Sequence, residues 1–396
     1  MNTITLKQNL FLFVFSLSSV SLVNGQKDFT ILPFKIDIKK NVSNIKALNL
    51  SDIASEILYI PLETNPDCMI DKINHIELSS SYIFVNDVNR LLQFDKTGKF
   101  IRQIGRQGRG PEEYVNINNF CINEIENEIY ILTYDKVLIF DLNGRFIRTL
   151  KLSFRPSQII LIDHNNLMYH LPNISGPKYY NSSSWIITDL QGMIIRRFRN
   201  NLLRISQPGL VIPRTPLYTY DNTVYCMEFG IDTLFYLQSS AKIPYAIMNF
   251  ENLKMDPDPL LTPETLEKTG EKLFEKLWIN YIHENNDFLF IKFFQGLTDS
   301  VRCALYNKKR GDLNFLKENA FLNDLDGGIM FWPEQVINDN ILVDYIDGFE
   351  FLKNIAKIQS SPSNNQKNKI SPKLLNLTKS LTATSNPVIM IVKSKL

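Results

Sequence analysis

The feature that most constrains this chain is a strand–turn–strand unit that returns at nearly even spacing. It reads FDKTGKFIRQIG over Phe94–Gly105, DLNGRFIRTL over Asp141–Leu150 and DLQGMIIRRF over Asp189–Phe198. An Asp opens each turn, because its carboxylate can bond backbone amides two residues on, and a Gly completes it by supplying positive φ. After the first turn, Phe100, Arg102 and Ile104 fall on one side of a strand by its period of two. Gly98, Gly144 and Gly192 stand 46 and 48 residues apart (144 − 98 and 192 − 144). A β-rich unit at that period reads as the blades of a propeller.

The runs around these turns fill out the blades. INHIEL (Ile73–Leu78), SYIFVND (Ser81–Asp87), RLLQFD (Arg90–Asp95) and KFIRQIG (Lys99–Gly105) form the first. NNFCIN, EIYILTY, KVLIFD and RFIRTLKL repeat the order between Asn118 and Leu152. Four short strands and then a longer crossing make one blade. The third runs from Ser157 to Phe198, its middle hairpin lengthened by Asn173–Ser183; the fourth replaces the Asp turn with Ser239–Lys242. Residues 251–277 read as a helical insertion, with Thr262 as N-cap and Pro263 at the first helical position. A fifth blade turns at Lys308–Gly311. The sixth is expected to start at Gly327–Trp332 and continue through Asn340–Ile346. Loop and helix then occupy 354–386, with helices near Phe349–Ile358 and Pro372–Leu381, before a last strand at Pro387–Lys393. That leaves the sixth blade one strand short and Glu56–Leu62 to spare. Pairing the two terminal strands would close the ring and remove both edges. The expected fold is all-β: a six-bladed β-propeller of four-stranded antiparallel blades closed by its terminal strands, with a seven-bladed ring as the alternative.

Composition agrees: 44% hydrophobic residues, with 26 Phe and 16 Tyr, suit a strand-rich core. A net charge of +2 gives no bulk argument for nucleic acid or membranes. Residues 1–25 read as a secretory signal peptide: Lys7, the apolar run Leu10–Val23, then Val23-Asn24-Gly25 for cleavage. The apolar run is too short to span a bilayer. The mature chain then starts near Gln26, with 26–55 as a leader and 56–396 as the propeller. The first cysteine is Cys68, so the expected product is not a lipoprotein but a periplasmic, outer-surface-associated or secreted protein. Cys68, Cys121, Cys226 and Cys303 are far apart and sit in strand-like runs, which suits buried free thiols better than disulfides or zinc.

The run NRLLQFDKTGKFIRQIGRQGRGPEEY (Asn89–Tyr114) resembles an NHL repeat. With IPLETNPDCMI (Ile60–Ile70), NDLDGGIMFWP (Asn323–Pro333) and NPVIMIV (Asn386–Val392), the order of the chain resembles the NHL-like, TolB-like six-bladed propellers exported by Bacteroidota. The resemblance covers nearly the whole mature chain. It implies the fold and little chemistry, and blades three to five stand further from the pattern.

For a site, the crossing after the first blade offers Arg106, Arg109, Glu112, Glu113 and Tyr114 among Gly105, Gly108 and Gly110. Glycines let amides approach a ligand, and Arg presents a planar fork to carboxylates. The competing reading is that the glycines only permit the turn and the charges pin the neighbouring blade. Arg196, Arg197, Arg199, Arg204 and Arg214 read as a solvated basic loop or a seat for acidic glycans. Asn323–Gly328 fails the EF-hand frame, so Asp324 and Asp326 are expected to form turns. Inner strands offer Glu77, Asn123, Asp163, Asp221 and His283 to a central channel, with no charge focus. Asp232-Thr233-Leu234 and Asp299-Ser300-Val301 fit a short O-glycosylation pattern of such bacteria. No nucleophile elbow, H-E-x-x-H or P-loop is present, and no metal or cofactor is implied. Three functions stand: a binding module of the cell envelope for a protein or glycan, a metal-dependent hydrolase or lyase using the channel, and an assembly scaffold. Nucleic acid and a transmembrane segment are not expected.

Overall fold

The computed structural model describes residues 32–172, 183–200, 215–228, 230–238, 241–255, 274–296, 298, 300–360 and 370–395. The expected signal peptide 1–25, the expected hairpin extension 173–182, Arg204, Arg214, Asp299, residues 256–273 of the expected helical insertion and 361–369 of the late loop lie outside them.

Six sheets form a propeller, each with four antiparallel strands, in sequence order from the inside out in the first five. The first blade is Ile73–Leu78, Tyr82–Asp87, Arg90–Asp95 and Phe100–Ile104; the second is Asn119–Asn123, Glu128–Leu132, Lys136–Asp141 and Phe146–Lys151. The third begins at Gln158–Ile162, the fourth at Leu217–Tyr220, the fifth at Leu277–Glu284 and the sixth at Gln335–Asn338.

The repeated turn works the same way each time. Asp95 Oδ1 accepts from the amides of Thr97 (2.8 Å) and Lys99 (3.0 Å), and Asp141 Oδ1 from those of Asn143 (2.9 Å) and Arg145 (2.8 Å). Asp189 Oδ1 does so for Gln191 (3.0 Å) and Met193 (2.8 Å). Gly98, Gly144 and Gly192 take φ of 87°, 80° and 87°, a region closed to most side chains. A register shift follows in all three outer hairpins, at Gln93/Phe94, Ile139/Phe140 and Ile187/Thr188. Such a bulge adds twist where blade must turn toward blade.

The terminal strands close the ring. Ala54–Pro61 is the outermost strand of the sixth blade and runs antiparallel to Val388–Ser394, with Val388 opposite Pro61 and Lys393 opposite Glu56. Side chains from the landmark segments lock the join. Asn386 Nδ2 donates to the carbonyls of Glu63 (2.6 Å) and Cys68 (2.8 Å), while its Oδ1 accepts from Ile70 N (2.8 Å). Asp324 Oδ1 accepts from Ser51 N (2.9 Å), and Asn323 Nδ2 donates to Asp326 Oδ1 (2.7 Å) and Tyr59 Oη (3.0 Å). The NDLDGG segment thus fastens the closing strand as well as turning.

One expectation needs correction. Gly327–Trp332 is not the first strand of the sixth blade, which starts at Gln335. Its apolar residues fill the core instead: Phe331 makes an isolated bridge to Phe321, and the Trp332 ring stacks on that of Phe321 at 6.1 Å. Within the described part of 251–277, Glu251–Leu253 is a single 3-10 turn, and Leu277 already belongs to the fifth blade. The leader is strand at two points. Phe34–Asp37 adds a parallel fifth strand outside Ala241–Asn249 on the fourth blade, and Ile45–Lys46 does the same outside Asp312–Leu316 on the fifth. Helices cover Gly348–Ser360 and Pro372–Ser380. Among the described residues no helix is long and apolar enough to cross a membrane.

The core lies between neighbouring blades. Phe84, Tyr114, Phe120 and Phe140 form one such layer between the first two. All four cysteines are buried free thiols, Cys121 in the next layer and Cys303 under the closing strand.

Candidate functional site

The crossing from Phe100–Ile104 to Asn119–Asn123 brings its five candidate residues together but gives them different tasks. Tyr114 is fully buried, and its hydroxyl donates to the Ile104 carbonyl (2.8 Å). Burial pushes its phenol up from the usual value. Glu113 folds back over the glycines, its Oε2 accepting from Gly110 N (2.8 Å), while Lys136 Nζ donates to its carbonyl (3.0 Å). Both residues therefore serve the blade-to-blade joint. Arg106, Arg109 and Glu112 are exposed on the same loop. The positive φ lies at Gly105 (63°) and not at Gly108. A Cβ at Gly105 would come within 2.8 Å of Phe140 and 2.9 Å of Tyr114; one at Gly108 would collide with the Glu113 carboxylate.

The larger concavity is the central channel, a cavity of about 370 Å³ with lining from all six inner strands. None of the five crossing residues lines it. Of the inner-strand candidates, Glu77 and His283 do. Asn123 is buried and donates to the His164 carbonyl (2.9 Å), and Asp163 and Asp221 sit in exposed turns.

The channel wall suppresses charge. Glu77 keeps 24% of its side chain open to the cavity, with the rest packed into the channel wall. That enclosure, with Glu124 nearby and against a hydrogen bond from the Ile122 backbone, pushes its carboxyl up to about 8. His75 Nε2 lies 3.9 Å from Glu77 Oε2, too far for a hydrogen bond. Enclosure likewise depresses the His283 imidazole to about 4, although the ring bonds to the Glu334 backbone. Its Nε2 has no partner, and neither does Oε1 of Gln335. Glu334 is ion-paired with Lys292, whose ammonium lies 5.8 Å from the Tyr281 ring centroid. Asp344, packed behind this pair, is pushed up to about 8 by burial and by the Glu334 charge.

Sequence reading missed His75, Tyr281, Lys292 and Glu334. His75 had a signal, since it lies two residues before Glu77 on the same strand and so shares its face. The Lys292–Glu334 pair spans two blades and had none. Among the described residues no three His, Cys, Asp or Glu side chains form a set that could hold a metal ion.

Residues 33–393 match the family described as a domain of unknown function, DUF4934. The chain belongs to this family. It is similar to a crystal structure of a Bacteroides fragilis NCTC 9343 protein designated as exported, with 20% identity, 92% of this chain and 99% of that one covered, and a TM-score of 0.70. That likeness establishes the shared fold. Remoter likenesses are a DUF4221 member from Bacteroides vulgatus ATCC 8482 (10% identity, 86% and 97% covered, TM-score 0.47) and BamB from Moraxella catarrhalis (10%, 66% and 66%, 0.37). No curated protein matches the chain.

Proposed function

We propose that this chain is an exported binding module of the cell envelope that takes its ligand in the central channel. The observation that carries the reading is the channel itself: a cavity of about 370 Å³, lined by all six blades, in the size range of ligand pockets (roughly 300–1,000 Å³). Closure by Ala54–Pro61 makes the ring a fixed frame for such a pocket. In this reading residues 1–25 are removed as a signal peptide, 26–55 are a leader and 56–396 form the NHL-type propeller. Arg106, Arg109 and Glu112, exposed at the crossing, would add contacts to a partner on the ring's face, with Glu113 and Tyr114 holding their loop in shape.

The test compares retention of solubilised envelope material by three immobilised proteins. Thr219 is exposed and lines the channel, so Thr219→Trp fills the cavity; Arg109→Ala strips the face. The proposal expects retention by wild type and by Arg109→Ala, and its loss with Thr219→Trp at an unchanged melting temperature. The converse pattern moves the site to the crossing, and no retention by wild type removes the binding-module reading. N-terminal sequencing of the exported protein should find Gln26 or Lys27 first; a retained Met1 contradicts export by this signal.

A further inference from the structure

We infer that the channel takes a small, uncharged, hydroxyl-rich ligand, of which a neutral saccharide is the fitting class; this rests on the channel being the ligand seat. The first support is the kind of groups around the cavity. Asn74, Gln158, Thr219, His283 and Gln335 line it from five different blades, and amides, hydroxyls and imidazoles carry both donors and acceptors, the Gln158 amide already sharing its own with Thr215. A ligand hydroxyl also donates and accepts, so it can answer such a mixed ring from any side. Tyr281 and Tyr345 add aromatic rings to the same wall.

The second support is a pair of unanswered polar atoms. Nε2 of His283 and Oε1 of Gln335 are buried without partners, on adjacent blades of the wall. The great majority of buried polar atoms in proteins are satisfied, and leaving one unpaired is costly. A purely apolar ligand would leave both unanswered.

The third support is the cancelled charge. An anion would need a cation to meet it, but Lys292 is already engaged by Glu334. A cation would need a carboxylate, but enclosure favours the protonated form of Glu77. His283 likewise favours its neutral form. Charged ligands would enter this wall without compensation.

Isoleucine methyl NMR on the full propeller tests this, because Ile76, Ile122, Ile160 and Ile337 line the channel, whereas Ile125 and Ile147 are exposed elsewhere. The probes are D-glucose, D-galactose, D-mannose and N-acetyl-D-glucosamine, set against D-glucuronate and D-glucosamine. The expected result is a saturable shift of the channel methyls with at least one neutral sugar, and binding weaker by about tenfold or more for its charged counterpart, the scale of one lost or uncompensated polar contact. His283→Phe keeps a ring of similar size and should weaken the neutral sugar by about tenfold, with the melting temperature as a check on folding. Channel shifts as strong with glucuronate or glucosamine overturn the ligand class and leave the channel as the seat. Shifts confined to Ile125 and Ile147 overturn both. No shift with any neutral sugar overturns the ligand class, while retention of envelope material decides the broader reading separately.

Discussion

The Gly105–Tyr114 crossing and the central channel wall are built in opposite ways. The crossing is continuous in sequence, rich in glycine and arginine, and looks like a binding loop. Its inward side chains are consumed by structure: Tyr114 plugs the layer between two blades and Glu113 braces Gly110. The channel is assembled from inner strands scattered along the chain, and each contributes only a few unremarkable residues. It nevertheless holds two unpaired polar atoms, a carboxyl pushed up to about 8 and an imidazole held down to about 4. A loop that reads as a site can also be a joint, and a pocket can be spread too thinly along the chain to be read at all.

Substitutions can break this contrast, and the largest effect should come from the joint. Tyr114→Ala removes a fully buried ring and leaves the Ile104 carbonyl without its donor. By the scale of buried aromatic truncations it should cost about 3–5 kcal/mol, read as a large fall in urea midpoint. A loss near zero would return Tyr114 to the role of a ligand contact.

Gly105→Ala should cost about 1–3 kcal/mol, through positive φ together with crowding against Phe140 and Tyr114. Gly108→Val acts differently, by ejecting the Glu113 carboxylate from its seat rather than by straining φ. The double variant Gly108→Val/Glu113→Ala should therefore be less than the sum of its parts in chemical denaturation; additivity would contradict the brace.

The channel wall should reveal itself through pH. The folded-state pKa of Glu77 is raised from an ordinary 4.5 to about 8, so the folded state holds its proton more tightly than the unfolded chain. Its stabilising contribution is complete below about 4.5 and is lost as pH rises through about 8. Glu77→Gln cannot lose that proton, so its melting temperature should fall less than wild type's between those limits. Parallel curves would show that water reaches Glu77 freely. Asp344 runs in the same direction and keeps part of the slope in both proteins.

Arg109→Ala should give the smallest effect, within about 0.5 kcal/mol of wild type, because the side chain is exposed. A loss as large as that of Gly105→Ala would make the arginine a strut between blades.

The same contrast explains what the sequence could reveal of the fold. Blades one to three were legible because Asp95, Asp141 and Asp189 each build a turn from residues within four positions. Ring closure was legible because a strand was missing at one end and spare at the other. The parallel strands Phe34–Asp37 and Ile45–Lys46 were not, since their partners lie more than 200 residues away and no turn fixes the pairing. Gly327–Trp332 misled because an apolar run looks alike as a buried strand or as loop residues filling a core. In the channel, alternation pointed to Glu77 and His283, but only the closed ring sets Lys292 against Glu334.

Hydrogen exchange of the backbone tests the central claim most directly. Exchange is followed by mass spectrometry on the purified protein, alone and after incubation with solubilised envelope material. The account predicts slower exchange in the inner strands Ile73–Leu78 and Leu277–Glu284, with little change between Arg106 and Tyr114. Slower exchange at Arg106–Tyr114 with unchanged inner strands would contradict it and place the ligand on the face of the ring.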